Sequence, residues 1–142
     1  MKGQITEHFF KSEFESKDGS EMPDWVYKNI VELAFSLQEL RDYLQHPIII
    51  TSGYRDPYYN DVILPSMGYE TSKNSQHKLG KAADIVVRDM KPNKVAKAIM
   101  RLRKDGCMRK GGLGIYNGFV HYDIRGKNIN WDKSSRFNFL PF

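Results

Sequence analysis

Residues 75–84 read SQHKLGKAAD, and residues 119–123 read FVHYD. These two stretches supply two imidazoles and a carboxylate, from His77, Asp84 and His121. Two nitrogen ligands and one oxygen ligand leave a tetrahedral zinc ion one open position, which distinguishes catalytic zinc sites from structural ones. Zinc in such a site polarises a carbonyl and lowers the pKa of water from about 15.7 to about 7. The pattern therefore predicts a site with hydrolytic zinc chemistry.

The spacing of these residues allows them to share one pocket. Gly80 permits an abrupt turn between His77 and Asp84. His121 and Asp123 are two residues apart on a predicted strand, so both side chains lie on the same face. Either histidine alone would be better interpreted as a hydrogen-bonded polar residue at a strand end. The combination with Asp84 and Asp123 favours the metal site.

Apolar residues with helical spacing follow Pro23. The spacing predicts a long helix that begins near Asp24 and ends before Pro47. Its apolar face comprises Val26, Ile30, Leu33, Leu37, Leu40 and Leu44. The β-branched run over 48–51 predicts a buried strand, and a loop with one short helical turn is expected over 57–75.

The second half of the chain predicts a strand over 82–87, a helix over 92–104 and a hairpin over 112–124. Asn117-Gly118 in the hairpin suits a two-residue turn with positive φ. This order predicts an α+β fold with a small, largely antiparallel sheet flanked by helices. A length of 142 residues fits a single domain over 1–142.

Composition limits the classes of function. No window approaches the roughly 18 apolar residues that span a bilayer, so no membrane span is expected. The first eight residues lack the apolar core of a signal peptide, so synthesis in a cytoplasm is expected. The net charge of +5 favours polyanionic partners, but no nucleic-acid-binding motif accompanies it. The lone Cys107 excludes an intramolecular disulfide and is predicted to be buried.

The metal motif has the form Ser75-x-His77-x-x-Gly80-x-Ala82-x-Asp84, and three further motifs flank it in order. They are Ser52-Gly53-Tyr54-Arg55, Gly112-x-Gly114-Ile115-Tyr116 and Phe119-Val120-His121-x-Asp123. In these motifs the chain resembles the zinc D-Ala-D-Ala carboxypeptidase superfamily. Its relatives include D-Ala-D-Ala dipeptidases, L-alanyl-D-glutamate endopeptidases and the hedgehog signalling domain. The resemblance runs from about His8 to Ile124, and residues 8–14 resemble the entry segment of the murein peptidase branch.

The resemblance implies that His77, Asp84 and His121 bind Zn²⁺. It also implies that Arg55 faces the carboxylate of the substrate or the developing oxyanion, a role that suits a permanently charged donor fork. A surface arginine at a strand end is the alternative for Arg55. Ser75 is expected to donate a hydrogen bond near the substrate, or else to cap a turn.

Tyr54 is one of several tyrosines near the motifs that are expected to line a substrate groove, with core packing as the alternative. The aromatic tail over 131–142 is expected to pack back on the domain or to dock on a partner.

The chain departs from the superfamily just before the last ligand, where many members have an acidic residue or histidine as general base. Here those positions are Gly118 and Phe119. Asp123 is therefore predicted to be the general base. The alternative is that Asp123 orients a ligand or forms a structural salt bridge with Arg125.

The predicted function is a zinc metallopeptidase that hydrolyses an amide bond in the stem peptide of bacterial peptidoglycan, as a D-Ala-type carboxypeptidase or an endopeptidase. The expected context is a phage or prophage lysis enzyme, or a tail component, that acts on the wall after release or on the particle. The alternative is a non-catalytic zinc-binding structural or interaction module. Nucleic-acid binding rests on net charge alone and is the weakest hypothesis.

Overall fold

The computed structural model describes residues 2–134 of the chain. The first long helix, α1, covers Asp24–Leu44, and its buried residues follow the predicted apolar spacing. It ends where Gln45 adopts a left-handed conformation with φ of 58° and donates its N–H to the carbonyl of Arg41. Both predicted ends of this helix are confirmed.

Within residues 2–134, five strands form one sheet in the order β1-β2-β4-β3-β5. They are β1 (Ile48–Ser52), β2 (Ala82–Val87), β3 (Gly112–Ile115), β4 (Val120–Asp123) and β5 (Ile129–Asp132). All neighbouring strands are antiparallel except β3 and β5, which are parallel. The predicted α+β fold with a largely antiparallel sheet is confirmed.

The core lies on one face of this sheet. A further helix, α3 (Pro92–Lys104), connects β2 to β3 and packs with α1 against that face. Alternate strand residues such as Ile85, Leu113 and Tyr122 join the apolar core. Their neighbours along β2 and β4, which include Asp84 and His121, therefore face the opposite side.

The connection between β1 and β2 contains more helix than the single turn that the sequence predicts. A π-helical segment over Tyr59–Ile63 continues into α2 (Leu64–Ser66), and a 3₁₀ helix covers Gln76–Leu79. Another 3₁₀ helix, Lys11–Phe14, lies near the amino end. Phe14 of this last helix is buried in the apolar core.

The hairpin turn between β3 and β4 differs from the prediction. Neither Asn117 nor Gly118 adopts positive φ, so the prediction of a two-residue turn is wrong. Four residues, 116–119, connect the strands instead. The Tyr116 and Phe119 rings stack across this connection, with centroids 4.4 Å apart.

The sequence did not predict β5. Its four residues, Ile-Asn-Trp-Asp, alternate apolar and polar side chains but are too few to predict a strand by pattern. The strand pairs in parallel with β3, from which β4 separates it along the chain. Trp131 therefore packs back on the sheet, which is one of the two arrangements predicted for the aromatic tail. Residues 135–142 of that tail lie outside the described residues.

Cys107 is exposed, contrary to the prediction, because it lies in the turn just after α3. There its N–H donates to the carbonyl of Leu102 and closes the end of the helix. Across residues 2–134, no helix is long and apolar enough to cross a membrane.

Candidate metal centre

One row of residues crosses the polar face of the sheet. Asp84 on β2 lies opposite His121 on β4, which lies opposite Gly114 on β3. The row continues to Ser52 on β1 and to Trp131 on β5. Directly opposed residues share a face, so these side chains project to the same side.

His77 reaches this row from the 3₁₀ helix before β2. Gly80 ends that helix in the left-handed region with φ of 72°, and an added Cβ would lie 2.6 Å from Cγ1 of Val26. Glycine is therefore needed both for the turn and for the close approach to α1. The turn brings His77 to the same side of the sheet as Asp84.

Three ligand atoms converge at this point. Oδ1 of Asp84 lies 3.3 Å from Nε2 of His77 and 3.3 Å from Nδ1 of His121. All three residues are buried, and their ligand atoms lie within 4.8 Å of one another. The three ligands predicted from the sequence therefore form one cluster that could hold a metal ion.

Hydrogen bonds to the outer ring nitrogens fix both imidazoles. Nδ1 of His77 donates to the carbonyl of Gly53 at 2.7 Å, so its Nε2 presents a lone pair to Asp84. Nε2 of His121 donates to Oδ2 of Asp123 at 2.7 Å, which leaves Nδ1 facing Asp84. Metal-binding histidines usually have such an outer acceptor. The two rings therefore offer opposite nitrogens to the cluster.

Burial and mutual contacts shift the pKa values of all three residues of the cluster. Burial holds the pKa of His77 below its ordinary value, which favours the neutral ligand. Burial would raise the pKa of Asp84, but the neighbouring His77 and His121 hold it well below its usual range. Burial would lower the pKa of His121, but its bonds to Asp123 and Asp84 raise it. The site thus combines an ionised carboxylate with two oriented imidazoles.

Asp123 lies on the far side of the His121 ring from Asp84. It is fully buried, and its carboxylate accepts hydrogen bonds from the Gly112 N–H and from Nε and Nη2 of Arg125. Burial would raise its pKa, but the bonds from His121 and Arg125 hold it below its usual range. These are the contacts of a carboxylate that orients a ligand. They match the geometry of the alternative prediction for Asp123, because both oxygens bond to His121, Gly112 or Arg125 and the residue does not line the pocket.

Glycine allows Asp123 to come this close to β3. A Cβ at Gly112 would lie 2.3 Å from Oδ2 of Asp123, and one at Gly111 would lie 1.7 Å from its carbonyl oxygen. The Gly111-Gly112 pair is therefore part of the support for His121.

Arg55 lies beside the cluster, as the sequence predicts. Its Nη2 is 3.2 Å from Oδ2 of Asp84, and its Nε donates to the Ser52 hydroxyl at 3.0 Å. Its Nη1 donates to Oδ1 of Asn60. Burial lowers its pKa from the ordinary value, while Asp84 opposes that change. The guanidinium is therefore fixed next to the ligands.

A pocket of about 790 Å³ opens above the cluster. His77, Asp84, His121, Arg55 and Ser75 all line it. The Ser75 hydroxyl also accepts the N–H of His77 at 3.2 Å, so it caps the 3₁₀ helix. Both roles considered for Ser75 are compatible with this position.

The structure places Tyr54 in the core, where only 3% of its surface is exposed. Its N–H donates to the carbonyl of Phe14, and Tyr54 is absent from the lining of the pocket above the cluster within residues 2–134. The position of Tyr54 gives no support to the predicted role in substrate binding.

Several pocket residues were missed by sequence reasoning. Glu70 is the only carboxylate on the wall besides Asp84 within residues 2–134. Arg125, Trp131 and Lys133 form the wall beside His121. The aromatic composition of the tail was the one sequence signal for Trp131.

The sequence profile of the Peptidase M15 family matches residues 6–123. The chain belongs to the Peptidase M15 family. The match includes every residue of the His-Asp-His cluster, together with Arg55 and Asp123. The resemblance to the zinc murein peptidase superfamily is confirmed, and the chain is a peptidase.

No curated protein matches this M15 peptidase. Among solved structures, it is similar to the L-Ala D-Glu endopeptidase ChiX of Serratia marcescens, with 16% sequence identity and a TM-score of 0.48. That alignment covers 72% of this chain and 88% of ChiX.

Proposed function

We propose that this M15 peptidase is a zinc-dependent enzyme that hydrolyses an amide bond in the peptide part of bacterial peptidoglycan, as a carboxypeptidase or an endopeptidase. The observation that carries the proposal is the convergence of His77, Asp84 and His121 beneath an open pocket. A structural zinc site would be closed by a fourth protein ligand. A site that opens to a pocket leaves room for substrate.

The donor set fits zinc. Two imidazole nitrogens and one carboxylate oxygen are ordinary ligands of a catalytic zinc ion, and the acceptors behind both rings are already in place. When bound, zinc would supply Lewis-acid polarisation of the amide carbonyl and activation of water. His77, Asp84 and His121 would hold it.

Arg55 is proposed to bind the negative charge of the substrate. Its guanidinium is rigidly held by Ser52, Asn60 and Asp84, so little reorganisation is needed when charge develops on the carbonyl oxygen. A carboxylate of the substrate is the other anion that this position suits.

Asp123 is proposed to be a positioning residue in place of the general base predicted from the sequence. Its bond to His121 fixes the tautomer and the ring orientation, and Arg125 keeps the carboxylate ionised. Asp123 would affect turnover indirectly, by holding the imidazole of His121 in the orientation that binds the metal.

The proposed setting is the bacterial cell wall, reached after release from a cell or on a phage particle. The net charge of +5 would assist approach to anionic wall polymers, and salt would weaken this effect.

Incubation of the zinc-loaded protein with purified sacculi tests the proposal. We expect release of new amino groups that stops on chelation, returns with zinc and is lost in Asp84→Asn. Amino-group release that is equal with and without metal would contradict the proposed zinc dependence. Absence of release from sacculi of several wall types would contradict the proposed substrate.

A further inference from the structure

Two guanidinium groups lie at opposite ends of the row that carries the metal ligands. Arg55 bonds to Ser52 and Asp84 at the β1 end. At the β5 end, the guanidinium carbon of Arg125 lies 5.7 Å from the centre of the Trp131 ring. Strands are about 4.8 Å apart, so the row spans roughly 19 Å. His121 and Asp84 therefore lie between two cationic ends.

Trp131 forms a fixed wall at the β5 end. Its indole lies over Gly114, where an added Cβ would approach Nε1 to 2.3 Å. The indole N–H donates to the Tyr116 hydroxyl at 3.0 Å, and the ring centre lies 5.1 Å from that of His121. The wall is thus held in contact with a candidate metal ligand.

Two cations flank this wall. Arg125 uses Nε and Nη2 to bind Asp123, and within residues 2–134 its Nη1 makes no hydrogen bond. Its side chain is 29% exposed and lines the pocket. Lys133 also lines the pocket, and its N–H donates to the carbonyl of Ile115 at 2.8 Å. None of the ion pairs within residues 2–134 involves Lys133.

We propose that Arg125, Trp131 and Lys133 form a second anion-binding subsite of the pocket. It takes a carboxylate of the substrate on the side of the scissile bond opposite to Arg55. This inference rests on the proposed peptidase function and narrows its substrate class to acidic peptides with a carboxylate on each side of the bond. The family profile ends at residue 123, so the subsite comes from a segment beyond it.

A carboxylate on an aliphatic arm fits the chemistry of this wall. Methylene groups would pack on the indole face, which is large and apolar. The carboxylate would then meet the free Nη1 of Arg125 and the ammonium of Lys133 in charge-assisted hydrogen bonds. Arg125 remains anchored by Asp123, so little side-chain entropy is lost on binding.

Calorimetric titration of metal-free protein tests the subsite without turnover. The probe is the stem tetrapeptide L-Ala-γ-D-Glu-meso-diaminopimelate-D-Ala, together with analogues in which each carboxylate is amidated in turn. We expect Lys133→Gln to weaken binding of the tetrapeptide about two- to fivefold, the range for a solvent-exposed ion pair. For the one analogue whose amidated carboxylate is the partner of Lys133, wild type and Lys133→Gln should bind equally well. The comparison is a double-mutant cycle. Lys127→Gln, an exposed lysine away from the pocket, is the matched control and should change nothing.

Steady-state kinetics of the zinc-loaded protein supplies a second readout. Lys133→Gln should raise KM by a similar factor and leave kcat unchanged, because the contact is made equally in the ground state and the transition state. Trp131→Leu, with its fold checked by circular dichroism, should weaken tetrapeptide binding as well.

Three results would overturn the subsite. They are unchanged affinity in Lys133→Gln, an equal loss for every amidated analogue, and no binding of the tetrapeptide to wild-type protein in either metal state. If Lys133→Gln weakens binding through one carboxylate only, but the zinc-loaded protein does not hydrolyse the tetrapeptide, the subsite is supported and the proposed peptidoglycan activity is rejected. The two proposals can therefore fail separately.

Discussion

Nε2 of His121 donates a 2.7 Å hydrogen bond to Oδ2 of Asp123, on the side of the ring that faces away from Asp84. Asp123→Asn should therefore weaken zinc binding, because a carboxamide holds the imidazole less firmly in the required tautomer. Loss of such an outer partner typically costs about 10- to 100-fold in metal affinity. Competition with a chromophoric chelator measures the change.

Glu70→Gln is the matched control for this variant, because Glu70 is a pocket carboxylate that does not contact the ligands in the described structure. It should leave zinc affinity unchanged. Unaltered zinc affinity in Asp123→Asn, with turnover lost, would instead restore Asp123 as the general base.

Zinc should stabilise the folded protein. A ligand that binds only the native state at 100 times its Kd adds about 2.7 kcal/mol to the free energy of unfolding. His77→Ala should abolish this gain in a thermal melt. His8→Ala should retain it, because His8 belongs to an exposed cluster with Glu7 and Asp42 on another part of the surface. Equal gains in both variants would place the metal elsewhere.

Gly114→Ala should disturb the pocket wall. The new Cβ would meet the Trp131 indole at 2.3 Å, and overpacking of this kind costs about 1–3 kcal/mol. Gly118→Ala has open space around its Cβ and should change stability by less than about 1 kcal/mol. Urea denaturation compares the two variants, and equal stabilities would show that the indole does not rest on Gly114.

Tyr122 should make the protein sensitive to alkali. Burial raises the pKa of Tyr122 to about 12 from an ordinary value of 10.0. Above pH 10 the unfolded chain ionises first, so the stabilisation is complete below pH 10 and is lost between about pH 10 and about pH 12. One such group changes the unfolding free energy by up to about 1.4 kcal/mol per pH unit.

Urea denaturation across this pH range separates Tyr122 from other ionising groups. Tyr122→Phe should show a shallower decline than wild type, whereas Tyr43→Phe, an exposed tyrosine, should not. Parallel declines in all three proteins would contradict the assignment.

The sequence predicted the elements with strong apolar patterns. The period of α1, the β-branched run before Ser52 and the boundaries of β2 and α3 all agree with the structure. The alternation of Ile129 and Trp131 with polar residues in β5 covers only four residues, and the place of this strand depends on pairing with β3. The position of β5 beside His121 depends on tertiary contacts, so it cannot be predicted from the residues of the strand alone.

For the candidate site, the sequence predicted which residues lie together but not how their side chains are oriented. Alternation along β4 correctly placed Asp123 on the same side as His121. It could not say which ring nitrogen meets Asp123, because that depends on the rotation of the imidazole. Tyr54 was grouped with Arg55 by its motif, although adjacent residues in an extended segment point to opposite sides.

Mass spectrometry of defined muropeptides after incubation with zinc-loaded protein tests the central claim most directly. We predict a pair of products whose masses sum to that of the muropeptide plus one water and whose individual masses identify a single cleaved amide bond in the stem peptide. Both products should be absent with chelated protein and restored by zinc. Intact muropeptides from every wall type, with zinc bound to His77, Asp84 and His121 and the fold preserved, would contradict the claim and favour a non-catalytic zinc module.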